Sequence, residues 1–310
     1  MVNYSEKVPE EKHRILICAI LGLSIKNPGR YPNPFFDKGY RINVFEWDAV
    51  TNSKGEMVAP DIILANEDRN NSIIFDCKSG KSDKDQAERY DSVEKEDLVD
   101  WGISTKNPRE LTHDISFVSS FENGGKIRNT FNQWPYDFPV IQVGRSNIEK
   151  LMNDFKNEGI NDIFPIDIDF KNIPKYIYPV GKKSPEHIIM DEIMRTLLHK
   201  MYKNEKSIFK IKIEEIIKDV FPYWDKIGLS TKEKILDNFD RVMNMAADSG
   251  LLEEYIDYED KVTVFKIPNY QNTRSLQSFQ SKSMKYIRKL RKDYVQKRLD
   301  ADEWGSVEHH

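Results

Sequence analysis

Two acids and a lysine stand out for their spacing. Asp61 follows Pro60 and opens the run Ile62-Ile63-Leu64. Fifteen positions later, Ile73-Ile74-Phe75 leads into Asp76-Cys77-Lys78. Side chains in a strand alternate between faces, so Asp76 and Lys78 project from one side and Cys77 from the other. Asp61 opens the neighbouring strand of a turn-linked pair, and that pairing can bring its carboxylate to Asp76. Two carboxylates held this close repel, which raises one pKa. A divalent cation removes the penalty, and hard oxygen donors favour Mg²⁺ or Mn²⁺. Such a cation acidifies water and neutralises charge on a phosphodiester. Lys78 is then placed to hold or polarise the attacking water and to stabilise developing charge.

The elements that must position these groups are legible as periodicities. A first helix is expected over residues 10–25, where Ile15, Ala19 and Leu23 recur at helical spacing before Asn27-Pro28-Gly29 breaks it. Strands are expected at 41–50, 58–65 and 72–78, separated by the turn signals Asn52-Ser53-Lys54-Gly55 and Asp68-Arg69-Asn70-Asn71. A charged helix is expected at 83–100, then strands at 113–119 and 138–143 around a helix near 126–131, and a further helix at 147–157. This is an α/β sheet with helices on its faces. Residues 165–179 carry three prolines and read as a crossing segment. The second half changes character. Helices are expected at 185–202 (Ser184 as N-cap, Pro185 first), 212–221 and 230–249 (opened by the capping pattern Ser230 to Glu233), with a hairpin at 251–267. Three helices followed by a hairpin is the order of a winged helix-turn-helix.

Pro60-Asp61 followed by Asp76-Cys77-Lys78, at the ends of apolar strands with a helix before them, resembles the PD-(D/E)XK (restriction-endonuclease-like) nuclease superfamily. The resemblance covers about residues 10–145. It implies a mixed sheet flanked by helices and a catalytic set of Asp61, Asp76 and Lys78. It further implies a metal held by Asp61, Asp76 and the backbone carbonyl of Cys77, with an acid from the preceding helix, Glu11 in preference to Glu10. Gln86 and Tyr90 look like the Gln-x-x-x-Tyr element of the RecB-like branch, and their i, i+4 spacing puts both on one helix face. The additional cysteines of that branch's cluster-bearing members are missing. Outside the motif, Asp48 reads first as a turn-starting acid and second as a further ligand. His13 reads first as an ordinary surface or core histidine and second as a Mn²⁺ ligand. Lys81 and Lys84 are candidate phosphate contacts.

Composition bounds the rest. The chain has 310 residues with 39% hydrophobic and 32% charged, which suits two folded domains and a sizeable core. Two cysteines cannot supply a four-thiolate zinc or iron–sulfur site, and both read as small core residues. The longest apolar run, 15–25, is too short to span a bilayer, and no signal pattern opens the chain; a cytoplasmic protein without membrane contact is expected. The net charge of −4 hides a basic tail. Between Arg274 and Leu299 stand nine Lys or Arg against one acid, Asp293, and Lys285, Arg288, Lys289, Arg291 and Lys292 are the expected nucleic-acid contacts. Tyr286, Leu290 and Tyr294 form a stripe on the same helix that reads as a packing face.

The expected organisation is a nuclease domain at 1–170, a winged-helix-like domain at 183–270, a basic helix at 271–304 and a tag remnant at 305–310. The expected function is metal-dependent hydrolysis of DNA, with duplex DNA as partner, in defence, restriction or mobile-element movement. A homodimer or larger complex is compatible with it. The rivals are a ribonuclease on the same fold, a non-catalytic DNA-binding or assembly protein with a degenerate nuclease fold, and a ligand-sensing regulator.

Overall fold

Apolar segments of two periodicities build the first half of the molecule. Every residue from Arg14 to Leu23 is buried, so helix α1 (Pro9–Leu23) is a core helix, apolar on all sides rather than along one stripe. Strand β5 (Asn71–Lys78) is buried along nearly its whole length, as a strand covered on both faces must be.

The computed structural model describes residues 9–26, 29–80 and 83–305. The chain divides into two compact units, residues 1–178 with 225–231, and residues 179–224 with 232–310. The first unit is mixed α/β. Its elements are α1, α2 (Pro34–Asp37), β1 (Arg41–Phe45), β2 (Val50–Thr51), β3 (Met57–Val58), β4 (Ile62–Asn66), β5, α3 (Lys84–Asp91), α4 (Lys95–Asp100), β6 (Thr112–Ser120), α5 (Phe121–Phe131), β7 (Val140–Val143), β8 (Asn147–Met152), α6 (Glu158–Asn161) and β9 (Ile166–Asp167). Among the described residues seven strands form one sheet in the order β1-β4-β5-β6-β7-β8-β9. The pairs around β4 and β8 are antiparallel, while β5-β6 and β6-β7 are parallel, each joined by helices. One face carries Ile63, Ile74 and Phe117 and packs on α3, α4 and α5 through Ala87, Leu98, Ile127 and Phe131. The other face meets α1 and α2, where Phe35 packs edge-to-face on Phe75 at 5.9 Å.

The second unit runs α7 (Glu186–Asn204), β10 (Ile208–Lys212), α8 (Ile213–Val220), α9 (Leu229–Ala247, its first three residues grouping with the first unit), β11 (Ile256–Glu259), β12 (Val262–Lys266) and α10 (Thr273–Gly305). Its three strands pair antiparallel in the order β10-β12-β11. Phe265, Phe279 and Tyr255 join this sheet to α10, which also lies along α7. Among the described residues no helix is long and apolar enough to cross a membrane.

Several sequence expectations are corrected. Residues 147–157 are not a helix. Gly144 donates to the Asn147 carbonyl at 2.8 Å and turns the chain, so β8 pairs with β7 and sheet pairing overrides local helix propensity. The helix at 83–100 is two helices: the Glu94 amide donates to Asp97 Oδ2 at 2.8 Å and starts α4 anew after the stop at Ser92. Ser184 does not cap α7; its hydroxyl accepts from the Gly181 amide at 2.8 Å, and Pro185 takes the N-cap position. Helix α9 starts at Leu229, so Ser230 lies in its first turn rather than before it. The order helix, helix, helix, hairpin omitted β10, a five-residue strand that completes the second sheet. The crossing segment supplies β9, which pairs with β8 at the sheet edge.

Candidate metal and catalytic site

Strand register alone gathers the acids. Phe45 pairs with Ile62, and Ile62 with Phe75. The next row across the same three strands is therefore Glu46, Asp61 and Asp76. The backbone agrees: the Glu46 amide donates to the Asp61 carbonyl at 2.6 Å, and the Asp61 amide to the Phe75 carbonyl at 3.2 Å. Neighbours in one row share a face, and like charges set side by side are unfavourable. All three are withdrawn from water; Glu46 and Asp76 are buried, and the Asp61 side chain is 15% exposed.

A lysine and a histidine answer this charge. Lys78 stands two residues beyond Asp76 on the same face, and its Nζ lies 2.7 Å from Asp76 Oδ2. From the other side Gln86 Oε1, on α3, accepts from the same Nζ at 2.5 Å. His13 comes from the first turns of α1. Its Nδ1 lies 3.0 Å from the Cys77 carbonyl, which can only accept, so Nδ1 carries a proton. Its Nε2 then faces Asp61 Oδ1 at 3.3 Å and Glu46 Oε1 at 3.7 Å. One ligand atom from each of His13, Glu46 and Asp61 lies within 4.8 Å of the others, the spacing of a metal-ligand set.

The electrostatics separate the two central carboxyls. Burial pushes Asp76 up, the Asp61 charge adds to it, and Lys78 only partly offsets both; Asp76 is raised to about 7. Burial also acts to raise Asp61, but His13 and the Cys77 amide, which donates to Asp61 Oδ2 at 2.6 Å, outweigh it and hold Asp61 below its ordinary value. The Cys77 thiol is buried and pushed well up by desolvation, which makes it a packing group rather than a nucleophile.

The sequence-derived residues fall into three sets. Asp61, Asp76, Lys78 and Gln86 converge. Tyr90, one helical turn after Gln86, lies beneath them, fully buried and edge-to-face on Phe117 at 6.0 Å. The Cys77 carbonyl is at the site, in contact with His13. Glu11 stands apart. It is fully buried, and its Oε2 accepts from Arg14 at 2.6 and 2.5 Å, while Arg14 also donates to the Tyr178 carbonyl at 2.6 Å. Glu11 thus anchors α1, whereas His13 is the residue of α1 that reaches the acid row. Asp48 starts no turn; its Oδ1 accepts from the distant Ser230 amide at 2.8 Å. Lys84 is exposed at the start of α3, while Lys81 and Glu10's side chain lie outside the described residues, as does most of the tag remnant.

Glu46 is the residue that sequence reasoning missed. Once β1 is known to flank β4, the register that sets Asp61 beside Asp76 also sets Glu46 beside Asp61. Strand order is not written in the local pattern, and Glu46 has a left-handed backbone (φ +46°) that ends the alternation of β1.

In the second unit, Lys285, Arg288, Lys289, Arg291 and Lys292 are all exposed on α10. Tyr286 and Leu290 are buried, and Tyr294 packs on His187 with ring centroids 5.6 Å apart. Lys289 also lines an open cavity of about 630 Å³, together with the acids Asp240, Asp248 and Asp293.

Comparison with known proteins gives two matched stretches. The family described as the MJECL32 domain matches residues 12–178, and the domain of unknown function DUF8601 matches residues 186–302. "Uncharacterized protein MJECL32" of Methanocaldococcus jannaschii is 31% identical over 185 residues, 54% of this chain. The chain spans 40% of the length of that relative. No solved structure matches.

Proposed function

The chain belongs to the MJECL32 domain family, and for its family domain we propose metal-dependent phosphodiester hydrolysis, with DNA as the substrate. The observation that carries this reading is the acid row Glu46–Asp61–Asp76 with His13 at one end and Lys78 at the other. A donor set of carboxylate oxygens and one imidazole nitrogen suits Mg²⁺ or Mn²⁺. The Nε2 lone pair of a neutral His13 is unfavourable against two carboxylates, and either a proton or a divalent cation relieves it. His13, Glu46, Asp61 and Asp76 would hold that cation. The Nδ1–H bond to the Cys77 carbonyl fixes the tautomer that leaves Nε2 as ligand. When bound, the cation supplies Lewis acidity and neutralises charge on the phosphodiester.

The chain's own groups do the rest. Lys78 holds the attacking water and stabilises charge that develops on the phosphate. Gln86 fixes the Lys78 ammonium on the side away from Asp76. Asp76 at about 7 changes charge near neutrality, so proton and cation compete for it.

On this reading the first unit is a restriction-endonuclease-like fold of the PD-(D/E)XK type and the second is a winged helix with a basic terminal helix. Three helices and a three-stranded sheet support the latter, and such a module favours duplex DNA. The test is to incubate the protein with supercoiled, linear and single-stranded DNA and with RNA, in Mg²⁺, Mn²⁺ or EDTA. Cleavage of DNA in Mn²⁺ or Mg²⁺, lost in EDTA and in Asp76→Ala, is the expected result. Cleavage of RNA alone would move the substrate to RNA. No cleavage of any substrate, or an Asp76→Ala variant as active as the parent, would overturn the proposal.

A further inference from the structure

Resting on the metal-site reading above, we infer that Gly228 is a positioning residue for the Glu46 carboxylate, acting through the segment 225–231. Of the acids in the row, Glu46 is the one whose backbone leaves strand geometry. Strand β1 ends at Phe45, and Glu46 follows with φ +46°. A non-glycine residue keeps that conformation only where its surroundings impose it.

The surroundings do so from two sides. On one, the Glu46 amide is tied to the Asp61 carbonyl at 2.6 Å. On the other lies the segment 225–231, which arrives from far along the chain yet belongs to the first unit. Ile227 forms a parallel bridge with Phe45, and the Gly228 amide donates to the Phe45 carbonyl at 3.2 Å. The Ser230 amide donates to Asp48 Oδ1 at 2.8 Å. The segment therefore grips the residue before Glu46 and the residue two after it.

Gly228 lies at the centre of that grip. A Cβ there would sit 2.6 Å from the Glu46 oxygen, 2.8 Å from Trp47 Cα and 2.9 Å from the Asp48 nitrogen. All three are backbone atoms, which cannot rotate aside as a side-chain tip can. The backbone of Gly228 is not left-handed, so glycine is required here by close approach rather than by conformation. Any side chain must push the segment or the Glu46 loop, and with it a ligand of the proposed cation.

The experiment is Mn²⁺ affinity of this 310-residue chain by titration calorimetry, with the melting temperature of each metal-free variant recorded alongside. Gly228→Ala should weaken Mn²⁺ binding about tenfold, the usual size of an outer-shell effect on metal affinity. The loss should vanish in a Glu46→Gln background and persist in an Asp76→Asn background, because neighbours that act through one group are not additive. Asp48→Ala, which only releases the Ser230 amide, provides a milder variant should Gly228→Ala fail to fold. It should weaken binding by a smaller factor, and likewise not in Glu46→Gln. Unchanged Mn²⁺ affinity in a folded Gly228→Ala, or equal losses with and without Glu46, overturns the inference and leaves the metal site standing. A parent protein that binds no Mn²⁺ overturns both.

Discussion

The acid row of the first unit and the basic face of α10 in the second are charge clusters built on opposite terms. In the row, Glu46, Asp61 and Asp76 are withdrawn from water, and their partners sit at fixed distances. On α10 the five basic residues are exposed, on long side chains. A buried charge is expensive and depends on each partner, so a one-atom change is felt. An exposed charge is screened and interchangeable with its neighbours. The first arrangement suits chemistry at one point, the second suits a polyanion read by its charge.

The sharpest break of that comparison is Lys78→Met. It should reduce cleavage about a thousandfold, the scale of removing one donor from a preorganised site, while affinity for duplex stays unchanged. Loss of affinity in step with cleavage would show that the two regions do not divide the work as described. Gln86→Ala should move cleavage in the same direction by much less, since Lys78 keeps its partner Asp76.

Next in size is the reversal of Arg288, Lys289, Arg291 and Lys292 to Glu. Binding should weaken alike on all sequences, and the dependence of log K on log salt should flatten by about one for each phosphate no longer neutralised. The metal requirement should not change. Titration of labelled duplex at three salt concentrations checks this, and a parent-like slope would assign those charges to water alone.

The smallest effect separates the members of the row. Asp76 is raised to about 7, so between the ordinary carboxylate range and neutrality the folded protein holds a proton that the unfolded chain has released. Its contribution to metal-free stability is full below pH about 4 and is lost as pH rises through about 7. Asp61, held below its usual value, acts in the opposite sense and is lost only in acid. Asp76→Asn should therefore melt several degrees above the parent at pH 8, at roughly 2–4 °C per kcal/mol, and match it near pH 4. Added Mn²⁺ should stabilise the parent more at pH 8 than at pH 6. Melting curves across pH 4 to 8 that run parallel for parent and variant would mean that Asp76 is not buried as described.

How much of this was legible in the sequence depends on what kind of information each residue carries. Asp76, Lys78 and Asp61 were legible because alternation along one strand and one turn-linked pairing suffice to bring them together. Gln86 was legible because i, i+4 spacing on a helix is local. His13 was visible but undistinguished, since nothing near it in the chain says that α1 sets its first turns over the acid row. Glu11 was the more inviting residue of that helix, yet Arg14, three residues on, takes its carboxylate. Glu46 was hidden by two tertiary facts, the placing of β1 beside β4 and a left-handed backbone that breaks the strand pattern. The tail's stripe was read correctly as packing, because Tyr286 and Leu290 are buried, while β8 was misread as a helix for want of knowledge of its partner strand.

The return of residues 225–231 to the first unit has a consequence for how this protein is passed on as parts. In the gene, the two matched domains follow one another as if separable, with a seam between residues 178 and 186. In the folded chain, seven residues encoded beyond that seam complete the loop that carries Glu46. Recombination at the seam would hand the first domain on without its last piece. The second domain can be exchanged only for one that brings an equivalent loop, with a residue as small as glycine at its centre. Dividing the chain at that seam therefore separates the first domain from residues that its own fold uses.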